Sequence, residues 1–220
     1  TVVYYRHGVI ANDATADTVA YTISSLPSAT AEVLYTTGGV LDNMAPPAAG
    51  IIHQHKNRYF IGDLEDGSIG YSKESVVQEG IPFSDYFRIA MEADGGRVRG
   101  LATLDSNLII FKRDRIYYLP GDGPVDSGAQ NDYPRPIPIA SDVGTENPNS
   151  IAETPLGIFF KSSKGIYLLK RNLTTQYVGE GVEDFNSLDI TTAVVLADES
   201  EVRFTTSDGA TLIYNYLFGQ

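Results

Sequence analysis

One pattern recurs four times along this chain. A short run of β-branched, Leu and aromatic residues is followed by a turn and then by a second such run that carries a tyrosine. The four hairpins read as 58–62 with 68–71, 107–111 with 116–119, 157–161 with 166–169, and 201–205 with 212–216. Their turns fall at Asp66-Gly67, around Arg113-Asp114, at Lys164-Gly165 and at Asp208-Gly209. Asp-Gly is a favoured hairpin turn where both central residues need positive φ. The second-strand tyrosines Tyr71, Tyr117, Tyr167 and Tyr214 lie 46, 50 and 47 positions apart. A further strand is expected before each hairpin, at 50–53, 98–102, 150–152 and 193–196. No single hairpin can bury its apolar face alone, so repeats must stack. A period of about 40–50 residues with several strands per unit matches the blades of a β-propeller.

The expected fold is therefore all-β: a partial β-propeller of about four blades of antiparallel strands, with a β-sandwich as the alternative. Twenty-one Gly and 11 Pro spread through the chain leave few windows of helix length. Residues 48–220 carry the blades. Residues 1–47 form a β lead-in or the end of a small sandwich domain, with strands expected at 2–6, 18–23 and 31–36. The chain does not open on Met, and its first residues are not a secretory signal, so it reads as a piece of something longer. Residues 120–149, with six prolines and four glycines, form the least regular stretch. Loops beyond about 12–15 residues are often functional, and this one is expected to pack on a neighbouring subunit.

Charge narrows the function. Twenty-eight acidic against 16 basic residues give a net charge of −12. Stable nucleic-acid binding draws on Lys and Arg displacing counterions, so it is disfavoured, while transient passage of DNA past an acidic wall is not. Cysteine is absent, which removes disulfides, thiolate metal sites and a cysteine nucleophile. No window reaches about 18 uninterrupted apolar residues, so no membrane-spanning helix is expected.

Candidate chemistry is sparse. His53 and His55 would share one face of a strand, but two ligands are too few for a stable metal site. Glu180, Glu183 and Asp184 cluster in a connector between the third and fourth units; paired carboxylates would suit glycoside hydrolysis, a solvated turn being the plainer reading. That enzyme would need them to face a cleft with Arg171 or Arg203. Asp122, Asp126 and Asp132 miss the spacing of a calcium loop. Ser207-Asp208-Gly209 only approximates the Asp-containing turn of sialidase propellers, and the chain has no Trp on which a sugar would stack. Asn172-Leu173-Thr174 fits a glycosylation sequon. No catalytic, cofactor-binding or metal-ligating residue is assigned, no cofactor is expected, and the chain is read as not an enzyme.

Several segments resemble tailed-phage virion proteins. They are 34–43 followed by Ala45-Pro46-Pro47; Ile69-Gly70-Tyr71-Ser72-Lys73 running to Phe83; 97–105 with 108–112 and Ile116-Tyr117; and Gly144-Thr145 with 150–160 and Gly165-Ile166-Tyr167. Together they are similar to the tail nozzle, or tail tubular protein B, class of short-tailed bacteriophages, over roughly residues 34–216. These motifs are packing and turn patterns and carry no catalytic residue. The resemblance implies a homo-oligomeric ring in the virion tail, contacting neighbouring tail proteins and passing DNA, with no membrane partner. A glycan-binding or glycan-hydrolysing propeller at the host surface is the alternative.

Overall fold

The computed structural model describes residues 20, 22–25, 41–76, 80–126 and 132–219. The protein is all-β, and the described residues form four antiparallel sheets that follow one another along the chain. Sheet one holds β1 (Ile51–His55), β2 (Arg58–Gly62), β3 (Ile69–Ser72) and β4 (Phe83–Ile89). Sheet two holds β5 (Gly100–Leu104), β6 (Asn107–Phe111), β7 (Ile116–Leu119) and β8 (Ile137–Pro138). Sheet three holds β9 (Ala152–Thr154), β10 (Gly157–Ser162), β11 (Gly165–Lys170) and β12 (Thr175–Tyr177). Sheet four, among the described residues, has three strands: β13 (Ile190–Leu196), β14 (Glu201–Thr206) and β15 (Thr211–Asn215). In each sheet the strands pair in chain order.

All four expected hairpins form, each preceded by a first strand; the third of these is Ala152–Thr154 rather than 150–152, because Ser150 ends a 3-10 turn. The outer strands β4, β8 and β12 were not foreseen. β8 is two residues long and ends on Pro138, and β12 is three residues long, too short for a period of two to register. The expected strands 2–6 and 31–36 lie outside the described residues. Of 18–23, only Ala20, Thr22 and Ile23 are described, and none of them is in a strand.

The turns differ in chemistry from the Asp-Gly reading. Gly67 and Gly209 have φ of 73° and 91°, but Asp66 and Asp208 do not adopt positive φ. Asp66 instead accepts a 2.9 Å hydrogen bond from the Ser68 amide, and Asp208 a 3.1 Å bond from the Ala210 amide. Left-handed backbone appears at Lys56 (φ 51°) and Asp105 (φ 54°), which turn the chain between β1 and β2 and between β5 and β6.

The sheets pack face to face in succession. Phe60, Tyr71 and Phe87 of sheet one meet Leu108, Ile110 and Tyr117 of sheet two. Ile109 and Phe111 on the opposite face of sheet two meet Ile158 and Phe160 of sheet three. Phe159 and Leu168 of sheet three meet Val202, Phe204 and Leu212 of sheet four. The central sheets are thus apolar on both faces, which explains the near-continuous apolar runs in β6 and β10. The first strands follow the same order, β1 packing on β5, β5 on β9 and β9 on β13. This arrangement is consistent with a partial propeller and with a sandwich, the two readings of the sequence. Among the described residues no core cluster joins sheet four to sheet one.

One repeat is out of phase. Tyr117, Tyr167 and Tyr214 face the preceding sheet, whereas Tyr71 faces the following one. A shift of one residue flips a side chain to the other face of a strand. Gly70, opposite Ile61, occupies the position of Tyr117 opposite Ile110 and Tyr167 opposite Phe160. A Cβ there would come within 3.0 Å of the buried Ile61 side chain.

The long segment after β7 packs on its own chain rather than presenting itself only outward. Tyr133 packs edge-on against Phe60 and Tyr71, with ring centroids 5.7 and 5.0 Å away, and its hydroxyl donates to the Asp122 carbonyl. Burial pushes the Tyr133 phenol up to about 12.

Candidate functional site

The first strands of three successive sheets bring a polar cluster together. His53 and His55 project from β1 on the same face, and both reach the hydroxyl of Thr103 on β5, at 2.8 and 3.0 Å. Glu153 of β9 accepts a 2.8 Å bond from the Thr103 amide and lies 3.7 Å from His53 Nε2. A hydroxyl carries one proton, so Thr103 donates to one imidazole at most and accepts from the other. Burial, Lys56 and His53 push His55 down to about 4. Burial also lowers His53, against the pull of Glu153. Both rings are therefore neutral at pH 7. His55 Nε2 is buried without a partner among the described residues.

The cluster works as a joint. Both rings bond one hydroxyl, and the carboxylate covers a main-chain donor of the neighbouring strand. Among the described residues no group of three or more His, Asp or Glu has the arrangement of a metal site.

Four buried or half-buried cations tie the connecting segments to the sheets. Arg58, 2 % exposed, donates to the carbonyls of Ser72 (2.7 Å) and Pro124 and sits beside Asp126 at 3.3 Å. Its guanidinium also lies over the rings of Tyr71 and Phe87. Lys73 donates to the Leu41 carbonyl and to Asn43 Oδ1. Lys112 donates to the carbonyls of Glu92 and Asp94, the latter at 2.7 Å. Lys161 donates to the carbonyls of Ser162 and Asn186 at 2.7 and 2.9 Å. Burial lowers the pKa of all three lysines. Gly144-Thr145 adds a crossing between sheets two and three. The Thr145 amide donates to the Lys112 carbonyl at 2.9 Å, and its hydroxyl to the Lys161 carbonyl at 2.7 Å. These contacts explain why polar residues sit inside the motifs singled out above.

The carboxylates at 180–184 lie on a short 3-10 segment, Glu180–Phe185, between β12 and β13. Glu180 lines a cleft of about 520 Å³ formed by this segment, β12 and β15, with Ile166, Val178, Phe204, Leu212 and Tyr214 in its walls. Glu183 accepts a 3.0 Å bond from the Tyr177 hydroxyl. Neither arginine required by the hydrolase reading lines it. Arg171 binds Asp105 Oδ1 and the Pro155 carbonyl, both at 2.7 Å, and Arg203 is held by Glu199 and Glu201.

The aspartates 122, 126 and 132 are dispersed. Asp122 pairs with Lys56 at 2.6 Å, and Asp126 serves Arg58 and the Glu74 amide. Asp132 lines a smaller cleft of about 320 Å³ with Tyr71, Tyr86, Tyr133, Arg88 and Arg135. Asn172 of the sequon accepts from the Thr174 amide and hydroxyl, closing the β11–β12 turn.

No family model matches this chain, and no curated protein matches it.

Proposed function

We propose that this chain is a non-catalytic structural component of a short-tailed phage tail, of the nozzle or tail tubular protein B kind. It assembles as a homo-oligomeric ring in the virion, contacts neighbouring tail proteins, and passes DNA without holding it or engaging a membrane. The observation that carries the reading is where the resembling motifs fall. Lys73 and Lys112 tie connecting segments to their sheets, and Thr145 of Gly144-Thr145 crosses from sheet two to sheet three. A ring component works by rigidity and symmetry, and such ties supply the rigidity. The net charge of −12 supports free passage of DNA.

The test is immunogold electron microscopy of intact phage particles with an antibody to this chain. Gold at the tail is expected, and clean particles with antigen only in the cell extract or medium overturn the proposal.

A second reading, glycan binding at the host surface, is favoured by the cleft that gathers Tyr86, Tyr133, Arg88 and Arg135. It calls for glycan-array binding that Tyr86→Ala abolishes. For the hydrolytic variant of that reading, replacing Glu183 and Asp184 by Ala leaves folding and assembly unchanged under our proposal, whereas loss of a measurable glycan hydrolysis would support an enzyme.

A further inference from the structure

The contacts that join β1, β5 and β9 hold only while both imidazoles are uncharged. Thr103 Oγ1 has one proton to give, and it stands 2.8 Å from His53 Nε2 and 3.0 Å from His55 Nδ1. Where His55 accepts that proton, protonating the ring turns Nδ1 into a donor, and the hydroxyl loses its acceptor. Where His55 donates instead, the added proton falls on Nε2, which is buried with no partner among the described residues. Either tautomer of His55 thus leaves one more buried N–H or O–H unsatisfied once the ring is charged.

The surrounding charges add to this cost. His55 is 2 % exposed. Lys56 beside it is held in place by the Gly121 carbonyl at 2.7 Å and by Asp122 at 2.6 Å. Burial, Lys56 and His53 all oppose a charge on His55. The Ser106 carbonyl and Asp122 favour one, and Asp122 is already paired with Lys56. His53 faces Glu153 at 3.7 Å. A charged His53 draws that carboxylate away from the Thr103 amide, which it holds at 2.8 Å. Acid therefore acts on every cross-strand bond that Thr103 makes.

We propose that this joint is an acid-operated latch: a proton on His55 parts β1 from β5 while the last seam stays closed. That last seam, built from Phe159, Leu168, Phe204 and Leu212, holds no histidine. In the closed joint the His55 ring titrates near 4, and freed to water it returns to about 6.5. The neutral ring therefore favours the closed joint fully above pH 6.5, and that preference is lost as pH falls towards 4. The gap makes opening about thirtyfold more favourable at pH 5 than at pH 7.5, above the range in which ordinary Asp and Glu titrate. The inference rests on the geometry of the inner strands and not on the tail reading.

The test is thiol labelling of the full 220-residue chain carrying Leu101→Cys, with a pyridyl disulfide as reagent and each rate divided by that of a free thiol at the same pH. The chain has no cysteine of its own. Leu101 is 6 % exposed and lies on β5 two positions from Thr103, on the face that meets sheet one. Labelling should rise about thirtyfold between pH 7.5 and 5, and stay flat once His55→Gln is added. Val202→Cys, which probes the last seam, should stay unlabelled over the same range. Flat labelling at Leu101→Cys overturns the latch. So does an equal rise at Val202→Cys, the mark of general unfolding, or a rise that survives His55→Gln. If the His55→Gln chain does not fold, imidazole NMR of the parent chain decides. A His55 ring that titrates near 6.5 overturns the proposal, and one that titrates near 4 sustains it.

Discussion

Arg58 is the most heavily committed charge in the described structure, and replacing it by Met tests whether such residues hold the sheets together. The guanidinium is 2 % exposed, donates to two carbonyls from different segments and lies 5.8 and 5.5 Å from the ring centroids of Tyr71 and Phe87. Met fills the aliphatic volume but leaves the Ser72 and Pro124 carbonyls without these donors. Breaking a buried charge pair costs about 3–5 kcal/mol. The partners Asp126 and Glu74 are about half exposed, at 42 % and 54 %, and can return to water, so the lower end applies. Lost cation–π contact adds about 0.5–2 kcal/mol. The expected loss is about 3.5–5 kcal/mol, read as a fall of roughly 1–2.5 M in the urea midpoint at unchanged slope. The chain has no Trp and 14 tyrosines, so tyrosine fluorescence follows the unfolding of the chain as a whole. Arg58→Lys should recover less than half of the loss, because a single ammonium does not reproduce the planar fork. A loss below about 1 kcal/mol, the range of an exposed ion pair, would refute the reasoning.

Three further outcomes are expected. His55 has a folded pKa near 4, below its unfolded value near 6.5, so the neutral ring contributes stability that is complete above pH 6.5 and lost as pH falls towards 4; urea midpoints at pH 7.5 and 4.5 should differ, and less so in His55→Asn. Gly144→Ala should cost about 1–3 kcal/mol or more in thermal unfolding, because a Cβ there overlaps the Lys112 carbonyl that Thr145 binds. Phe204→Ala, at a fully buried position of the last seam, should cost about 3–5 kcal/mol, whereas Val194→Thr on the open face of sheet four should stay within about 0.5 kcal/mol.

The strands were legible because they alternate, or run apolar between turns, long enough for a period to show. Leu108–Phe111 and Ile158–Phe160 read as buried from either side, and both are. The outer strands were hidden by brevity in β8 and β12, and in β4 by the Gly80 and Pro82 that precede it. The inner cluster was legible in part. His53 and His55 were paired by strand geometry alone, but Thr103 and Glu153 looked unremarkable. A signal existed, since His53, Thr103 and Glu153 stand 50 residues apart in sequence, the distance from one blade to the next. The repeat that located the tyrosines applies equally to these polar positions. Lys112 and Lys161 share that spacing, 49 residues apart after Phe111 and Phe160, but Arg58 has no such counterpart, and a cation at a strand end looks the same in sequence whether it meets water or a carbonyl.

Those cations bear on what makes a stack of sheets specific. Apolar burial is non-directional and scales with area, so the faces of sheets two and three would attract each other at several offsets. Tyr71, which faces the opposite way from its three counterparts, shows how easily such a pattern slips by one residue. Hydrogen bonds to carbonyls do not slip. Lys112 reaches Asp94 at 2.7 Å, Thr145 reaches Lys161, and Asn147 reaches Ile190, each across a connector or a seam. A shift of one residue, about 3.3 Å along a strand, would break each of them and strand a desolvated charge or amide. The apolar clusters therefore supply the adhesion, and the buried polar groups select one offset among those that adhesion alone would allow.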